Sequence, residues 1–347
     1  MKPYKPTSIC IIRLSSMGDI LLITPLLREL RSHYPDARID MIIAKRFAEI
    51  VCYNPYLSDV IELDTKGTAF DILRLSNKIR RLLPKKQYDI VLDEQVNFRS
   101  LLLRLGLGKV TYKLDKFRRQ KMELVQLKKG FGEPIVSITE RYRNTAAELG
   151  IHDDGDGLEL WLPEEAGLQS YPPTMRTAVI NPPKRLAIAP GARHFTKRWL
   201  PERFAETASY FHNQFNTEIV LLGGQDDSEI CDQVRSAILF PITDASNSSS
   251  LYDTARVLDG CDGLICNDSG IMHLAAARRV PVAAVFGSTV QEFGFAPFRV
   301  PNIIIEKELD CRPCTHIGRA ECPKGHFNCM NLITAGDVVS QYLSIKN

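Results

Sequence analysis

The chain carries one pattern twice: a short unbroken apolar run, a polar turn, then a helix-period stretch with a single apolar face. Ser8-Ile9-Cys10-Ile11-Ile12 is the first such run. Ser15-Ser16-Met17-Gly18 follows it, and Asp19 then precedes Ile20, Ile23, Leu26, Leu27 and Leu30. An apolar run without alternation suits a strand covered on both faces, and such strands belong to parallel sheets whose crossovers are helices. Pro25 interrupts the helical pattern and predicts a kink or a shortened first turn. Further strands are expected at Ile39–Ile43, Val60–Leu63 and Asp89–Leu92, with helical stretches between them.

From Leu162 to Arg185 the pattern dissolves around Pro163, Pro172, Pro173, Pro182 and Pro183, which reads as a linker. The alternation then restarts with strands at Leu186–Ala189, Glu218–Leu222, Gly263–Cys266 and Val282–Phe286. Helices are expected at Pro201–Asn213, Asp227–Ile238 and Gly270–Arg278. The expected fold is therefore α/β, with two Rossmann-like doubly wound parallel-sheet domains facing a central cleft at the carboxyl ends of their strands. The boundaries read as 1–165 for a first domain, 166–185 for a linker and 186–334 for a second. An amphipathic helix in 335–347 is expected to pack back on the first domain.

Charge is unevenly spread. Residues 1–147 hold 27 Lys+Arg against 16 Asp+Glu, whereas 148–347 hold 17 against 25. A basic front half suggests an anionic partner. No apolar stretch approaches the roughly 20 residues of a membrane helix, and the amino terminus lacks a signal-peptide core, so a cytoplasmic protein is expected. Cys10, Cys52, Cys231, Cys261 and Cys266 are scattered through apolar runs and read as thiols of a reducing compartment.

Two strand-end turns carry most of the chemistry. In Asp268-Ser269-Gly270-Ile271-Met272-His273 a strand ends in a carboxylate, a hydroxyl and a glycine that opens a helix. Free N–H groups at that helix start suit a pyrophosphate, and His273 could reach a phosphate oxygen; a plain helix cap is the alternative. After the second domain's first strand comes Pro190-Gly191-Ala192-Arg193-His194-Phe195-Thr196-Lys197-Arg198-Trp199, where Lys197 could neutralise a departing diphosphate. A third turn, Gly223-Gly224-Gln225-Asp226-Asp227, could set Gln225 or Asp226 against a ribose hydroxyl, with capping by Asp226 as the equal alternative.

Together these segments resemble the ADP-heptose:lipopolysaccharide heptosyltransferase family, glycosyltransferase family 9. The resemblance includes Arg13-Leu14-Ser15-Ser16-Met17-Gly18-Asp19 with Thr24-Pro25-Leu26, and Val285-Phe286-Gly287-Ser288-Thr289. It implies the GT-B form of the two-domain fold and an inverting, metal-independent transfer of heptose from ADP-heptose to the lipopolysaccharide inner core. By position it implies Asp19 as catalytic base and Lys197 as the diphosphate-binding lysine. Asp268, Ser269, Gly270 and His273 match the family's donor pocket, and Gly18, Arg193, Thr196 and Gln225 complete the expected donor-binding set, with Arg193 and His194 where some members have hydroxyl residues. Gln225 stands where a ribose-binding carboxylate is usual. Asp19 suits a base that takes a proton late in the transfer.

Residues 99–143 hold 12 Lys+Arg against four acids. Arg99, Arg118, Arg119, Lys121 and Arg141 are the expected acceptor contacts. A phosphorylated Kdo-lipid A or heptosylated core on the inner membrane surface would be attracted there, with the protein peripheral to that membrane. Nucleic acid is not expected, because no aromatics are interleaved with the basic residues. Catalysis needs no cofactor on this reading. Cys311, Cys314, Cys322 and Cys329 have the spacing of a structural zinc site, with a thiol-rich loop as the alternative. Asp154-Gly155-Asp156 spells a metal motif but lies in an acidic run that reads as a solvated loop. Competing functions are a nucleotide-sugar epimerase on the same architecture, a transferase of another sugar or acceptor, and a non-catalytic nucleotide-binding module.

Overall fold

The computed structural model describes residues 5–130, 135–168, 170–171, 179–248 and 250–346. The chain divides into two compact units, Met1–Lys116 with Ile138–Pro172, and Phe117–Ser137 with Pro173–Asn347. In the first unit the elements run β1 (Ser8–Ile12), α1 (Met17–Leu22), α2 (Thr24–His33), β2 (Arg38–Ala44), β3 (Asp59–Leu63), α3 (Ala69–Leu82), β4 (Tyr88–Asp93), α4 (Phe98–Arg104) and β5 (Gly108–Lys113). Helix α5 (Arg118–Leu127) belongs to the second unit, and α6 (Ile138–Thr145) returns to the first.

The first sheet is parallel in the order β3-β2-β1-β4-β5. Ile9 of β1 faces Ile39 on one side and Ile90 on the other. Strands β1 and β4 are buried along nearly their whole length, which is why they read as unbroken apolar runs. Pro25 sits in the opening turn of α2, separated from α1 at Ile23, where its missing N–H costs no helical hydrogen bond. Buried ion pairs tie α2 to the returning segment: Arg143 to Glu29 at 2.7 Å and Arg28 to Glu159 at 2.5 Å.

The second unit continues with β6 (Arg185–Ala189), α7 (Pro201–Phe215), β7 (Glu218–Leu222), α8 (Ser228–Ala237), β8 (Thr243–Ala245), α9 (Leu251–Asp259), β9 (Gly263–Asn267), α10 (Gly270–Ala277), β10 (Val282–Val285), β11 (Asn302–Ile305), α11 (Asn328–Asn331) and α12 (Ala335–Leu343). Its sheet is also parallel, in the order β11-β10-β9-β6-β7-β8. In both sheets the order reverses beside the first strand, between β1 and β4 and between β9 and β6. Such a reversal opens a crevice at the carboxyl ends of the strands, the ligand-binding place of doubly wound sheets.

Two expectations are corrected, and a third falls outside the described residues. Helix α12 packs on the second unit: Val338, Val339 and Tyr342 are buried in one cluster with Trp199, Phe204 and Phe211. Its apolar stripe completes the core of that unit beside α7. Helix α5 likewise lies outside the first unit, because Leu124 is buried with Val290 and Phe293. Much of the expected linker, 172–178, lies outside the described residues.

The position of α12 is testable. Tyr342→Ala should destabilise the protein by about 3 kcal/mol, as removal of a buried aromatic does. Urea unfolding followed by the fluorescence of Trp199, which lies in the same cluster, checks it. An unchanged midpoint would mean that the helix is not part of this core.

Candidate active site

At the switch point of the first sheet the chain leaves β1 through Arg13 and Leu14, and leaves β4 through Glu94 and Gln95. The Gln95 Oε1 accepts from the N–H groups of Leu14 and Ser15 at 2.9 and 3.1 Å, so the two strand ends are tied together. Gly18 is buried in α1, next to Asp19. Asp19 has an unusually complete set of donors. Its Oδ1 receives the Arg13 Nη2 at 2.6 Å and the Tyr142 hydroxyl at 3.1 Å. Its Oδ2 receives the Ser16 N–H at 3.0 Å and the Ser16 hydroxyl at 2.8 Å. The side chain keeps 19% exposure on one edge while Arg13 and Tyr142 are buried.

Burial alone would push the Asp19 carboxyl up. The Arg13 guanidinium, the two Ser16 donors and the Tyr142 hydroxyl outweigh it and hold the group below the usual carboxylate range. Arg13 is itself pinned, with Nη1 donating to the Glu94 carbonyl at 2.5 Å and its guanidinium 5.3 Å from the centre of the Tyr142 ring. The neighbouring Glu94 side chain is fully buried, which raises it well above an ordinary glutamate despite Arg13 nearby. Tyr142, Glu94 and Gln95 were not expected from the sequence. A polar residue at the end of an apolar run looks there like the start of a loop.

The second unit repeats the device. Asn267, at the end of β9, is fully buried. Its Oδ1 accepts from the Trp199 N–H at 2.9 Å, and its Nδ2 donates to the Pro190 carbonyl at 2.7 Å. That binds the loop after β6 to the loop after β9 and brings Lys197 Nζ to 2.6 Å from Asp268 Oδ2. The same oxygen accepts the Thr289 hydroxyl at 2.6 Å. Ser269 precedes α10, and its hydroxyl is buried with no protein partner among the described residues, as is that of Ser288. Gly270 opens the helix and His273 is buried one turn in.

The remaining donor-set residues divide. Thr196 is buried and exchanges hydrogen bonds with Arg319: its N–H reaches the Arg319 carbonyl at 3.1 Å, and its hydroxyl oxygen accepts the Arg319 N–H at 2.8 Å. Thr196 thus fastens the loop from inside. Arg193 and Gln225 are exposed. Gly287 is where a side chain would not fit, because an added Cβ would lie 2.9 Å from the Thr196 carbonyl oxygen and 2.5 Å from the Met330 methyl.

Among the expected acceptor residues, Arg99 is exposed on α4, with Nη2 on the Thr65 carbonyl at 3.2 Å. Arg118 and Arg119 are exposed on α5 in the second unit, where Lys121 lies 5.9 Å from the Phe295 ring centre. Arg141 is buried, so it is not part of an exposed basic face. Burial lowers its pKa. One basic stretch of sequence is therefore three separate environments.

The cysteine segment is held chiefly by its backbone and by Arg312. That guanidinium donates to the carbonyls of Gly287, Lys307, Phe286 and Thr289 and to Glu306, using the whole donor fork. Cys311 Sγ lies 3.8 Å from His326 Nε2. Among the described residues, the group of His, Cys, Asp or Glu with all ligand atoms within 4.8 Å is Glu29, Asp153 and Asp154. The cysteine sulfurs are thus not gathered to the roughly 3.8 Å separation that tetrahedral zinc–sulfur bonds impose. Each carboxylate of the acidic group is already ion-paired, with Arg143 on Glu29 and Asp153 and Arg28 on Asp154.

The profile of glycosyltransferase family 9 (heptosyltransferase) matches residues 76–324, across β4, β6, β9 and the Lys197 and Asp268 turns. The chain belongs to glycosyltransferase family 9. Lipooligosaccharide heptosyltransferase 2 of Campylobacter jejuni is 24% identical to it, over 94% of each chain. A family 9 glycosyl transferase of Veillonella parvula shares the fold at a TM-score of 0.75, with 22% identity over 97% of each chain. The Escherichia coli heptosyltransferase WaaC, solved with ADP-2-deoxy-2-fluoro heptose, does so at 0.65, with 21% identity over 97% of this chain and 98% of that one. In this GT-B fold both switch points carry the polar clusters just described.

The environment of Asp19 makes a prediction independent of turnover. Tyr142→Phe removes one donor to Oδ1 and favours the protonated form, so the Asp19 carboxyl should titrate at higher pH than in the native protein. Carboxyl carbon NMR against pH checks the direction; an unmoved titration would mean that the tyrosine hydroxyl does not bond to Asp19.

Proposed function

We propose that the chain is an inverting, metal-independent heptosyltransferase that moves heptose from ADP-heptose to the lipopolysaccharide inner core. The observation that carries this reading is the Lys197–Asp268–Thr289 cluster at the start of α10. A helix start with free N–H groups attracts an anion, and a lysine held beside it supplies an ammonium that can turn from Asp268 to a diphosphate oxygen. Asp268 and Thr289 orient the lysine, while the unpartnered hydroxyl of Ser269 faces the same turn as a further donor. Gly270 and His273 complete the diphosphate side, with Gln225 and Arg193 toward the nucleoside. The relative crystallised with a fluorinated ADP-heptose supports this choice of donor.

Asp19 is the base in this reading. An acceptor hydroxyl oxygen attacks the anomeric carbon as the bond from that carbon to the diphosphate oxygen breaks. The hydroxyl proton passes to Asp19, and ADP leaves with its new charge met by Lys197 and the first turn of α10. A carboxyl held below its usual range is a weak base at rest and gains its proton once the attacking oxygen has become acidic. Its low pKa also keeps it ionised and ready through neutral pH. The acceptor is a phosphorylated Kdo-lipid A or a heptosylated core, which sets the enzyme at the cytoplasmic face of the inner membrane. Arg99, Arg118, Arg119 and Lys121 are its exposed or partly exposed cationic contacts.

Three variants and a chelator test the assignment. Asp19→Asn should lower kcat by about 10²–10⁴-fold while ADP still binds, as loss of a general base does. Lys197→Met should weaken ADP binding and turnover together. Ser269→Ala should weaken ADP binding with a smaller loss of turnover. Activity should survive EDTA. Retained turnover in Asp19→Asn, by mass spectrometry of the product, would remove Asp19 as base. Isomerised sugar nucleotide without acceptor would replace the transferase with an epimerase.

A further inference from the structure

Helices α3 and α4 lie side by side on the first unit, with the Ser76 hydroxyl on the Leu103 carbonyl at 2.9 Å. Each turns a compact buried face inward, Ile72, Ser76 and Ile79 from α3 and Ser100 and Leu103 from α4. Their outward faces are not the polar faces that a water-facing helix normally presents. On α3, Phe70 and Leu73 share an exposed face with Arg74, Asn77 and Arg81 at i, i+3, i+4, i+7 and i+11. On α4, Phe98 and Leu101 project at i and i+3, with Leu105 one turn beyond. Phe70 is 72% exposed, Phe98 67% and Leu105 54%.

The charge around these residues is one-sided. Residues 66–86 and 98–105 together hold nine Lys+Arg and a single acid, Asp71, whose carboxylate is engaged by Thr68. Isolated apolar tips among arginines and lysines suit a surface that offers hydrocarbon beneath an anionic layer, and no groove for a peptide or helix is needed. Both helices begin just past the carboxyl ends of β3 and β4, the sheet edge that also carries Asp19 after β1.

We infer that the α3–α4 face is the part of the protein that seats on an anionic lipid bilayer, with Phe70, Phe98 and Leu105 entering the headgroup boundary. Arg74, Lys78 and Arg81 meet lipid phosphates around them. This rests on the reading of a lipid-linked acceptor at a membrane and names the surface that reaches it. The starts of both helices, with Phe70 and Phe98, lie at the sheet edge that carries the proposed base, so a bilayer-embedded acceptor presents its sugar to the side of the unit where Asp19 lies.

The test uses the full chain and co-sedimentation with phosphatidylglycerol–phosphatidylethanolamine vesicles, against pure phosphatidylcholine vesicles. Native protein should bind the anionic vesicles and be released by salt. Arg74→Gln, Lys78→Gln and Arg81→Gln should each weaken partitioning about fivefold. Phe70→Ser with Phe98→Ser should weaken it by on the order of tenfold or more. These side chains are exposed, so the variants should melt with the native protein and retain native turnover on a deacylated, water-soluble acceptor. Native binding with undiminished binding by the variants would overturn the face and leave the membrane reading standing. Failure of the native protein to bind would overturn both. Equal affinity for phosphatidylcholine, or a single-stranded oligonucleotide bound through these residues in place of vesicles, would also overturn the proposal.

Discussion

A parallel strand buried on both faces carries its polar side chains mostly near its ends, and those side chains must find their partners inside the protein. That constraint shapes both units. Gln95 at the end of β4 bonds the chain leaving β1, and Asn267 at the end of β9 bonds the chain leaving β6. In each sheet the two strands so joined flank the point where strand order reverses. An unpaired buried amide costs about 1–3 kcal/mol, so each loop is held in the one arrangement that satisfies it. The proposed chemistry sits on those loops because they are the rigid ones.

The two sites spend this rigidity differently. Asp19 has every lone pair engaged by Arg13, Tyr142 and Ser16, which fixes its direction and keeps it ionised. Of its donors Ser16 is the one open to solvent, so on the proposed reading a substrate hydroxyl approaches from that side. Lys197 is held by a carboxylate that is itself held by Thr289, so its position is set by the protein alone, as the proposed diphosphate contact requires. Preorganised charge of this kind lowers a barrier without reorganisation during the reaction.

What the sequence made legible follows from the same constraint. Central strands are unbroken apolar runs, and β1, β6, β7 and β9 were found within a residue or so. Edge strand β5 is half-exposed and carries Lys109 and Lys113, so it merged into a basic stretch. Strands β8 and β11 are too short to leave a pattern. The turns bearing Asp19, Lys197 and Asp268 were visible because glycine, a hydroxyl and a charge cluster where a strand becomes a helix. Gln95, Asn267, Tyr142 and Arg312 were not, since nothing local distinguishes a buried polar side chain from a solvated one. The helical period of α12 fixed which face is apolar and was silent on which unit would cover it.

Arg312 shows how far that silence reaches. The sequence draws attention to Cys311 and Cys314, yet the residue between them with the most bonds is the arginine. Its fork takes the carbonyls of Phe286, Gly287 and Thr289, the turn whose threonine holds Asp268. On the other side of the segment, Arg319 locks onto Thr196, the residue before Lys197. The cysteine-rich segment is thus a clasp across both halves of the lysine–aspartate cluster, made of a guanidinium and backbone groups. Its place beside the Lys197 and Asp268 turns is explained by those bonds.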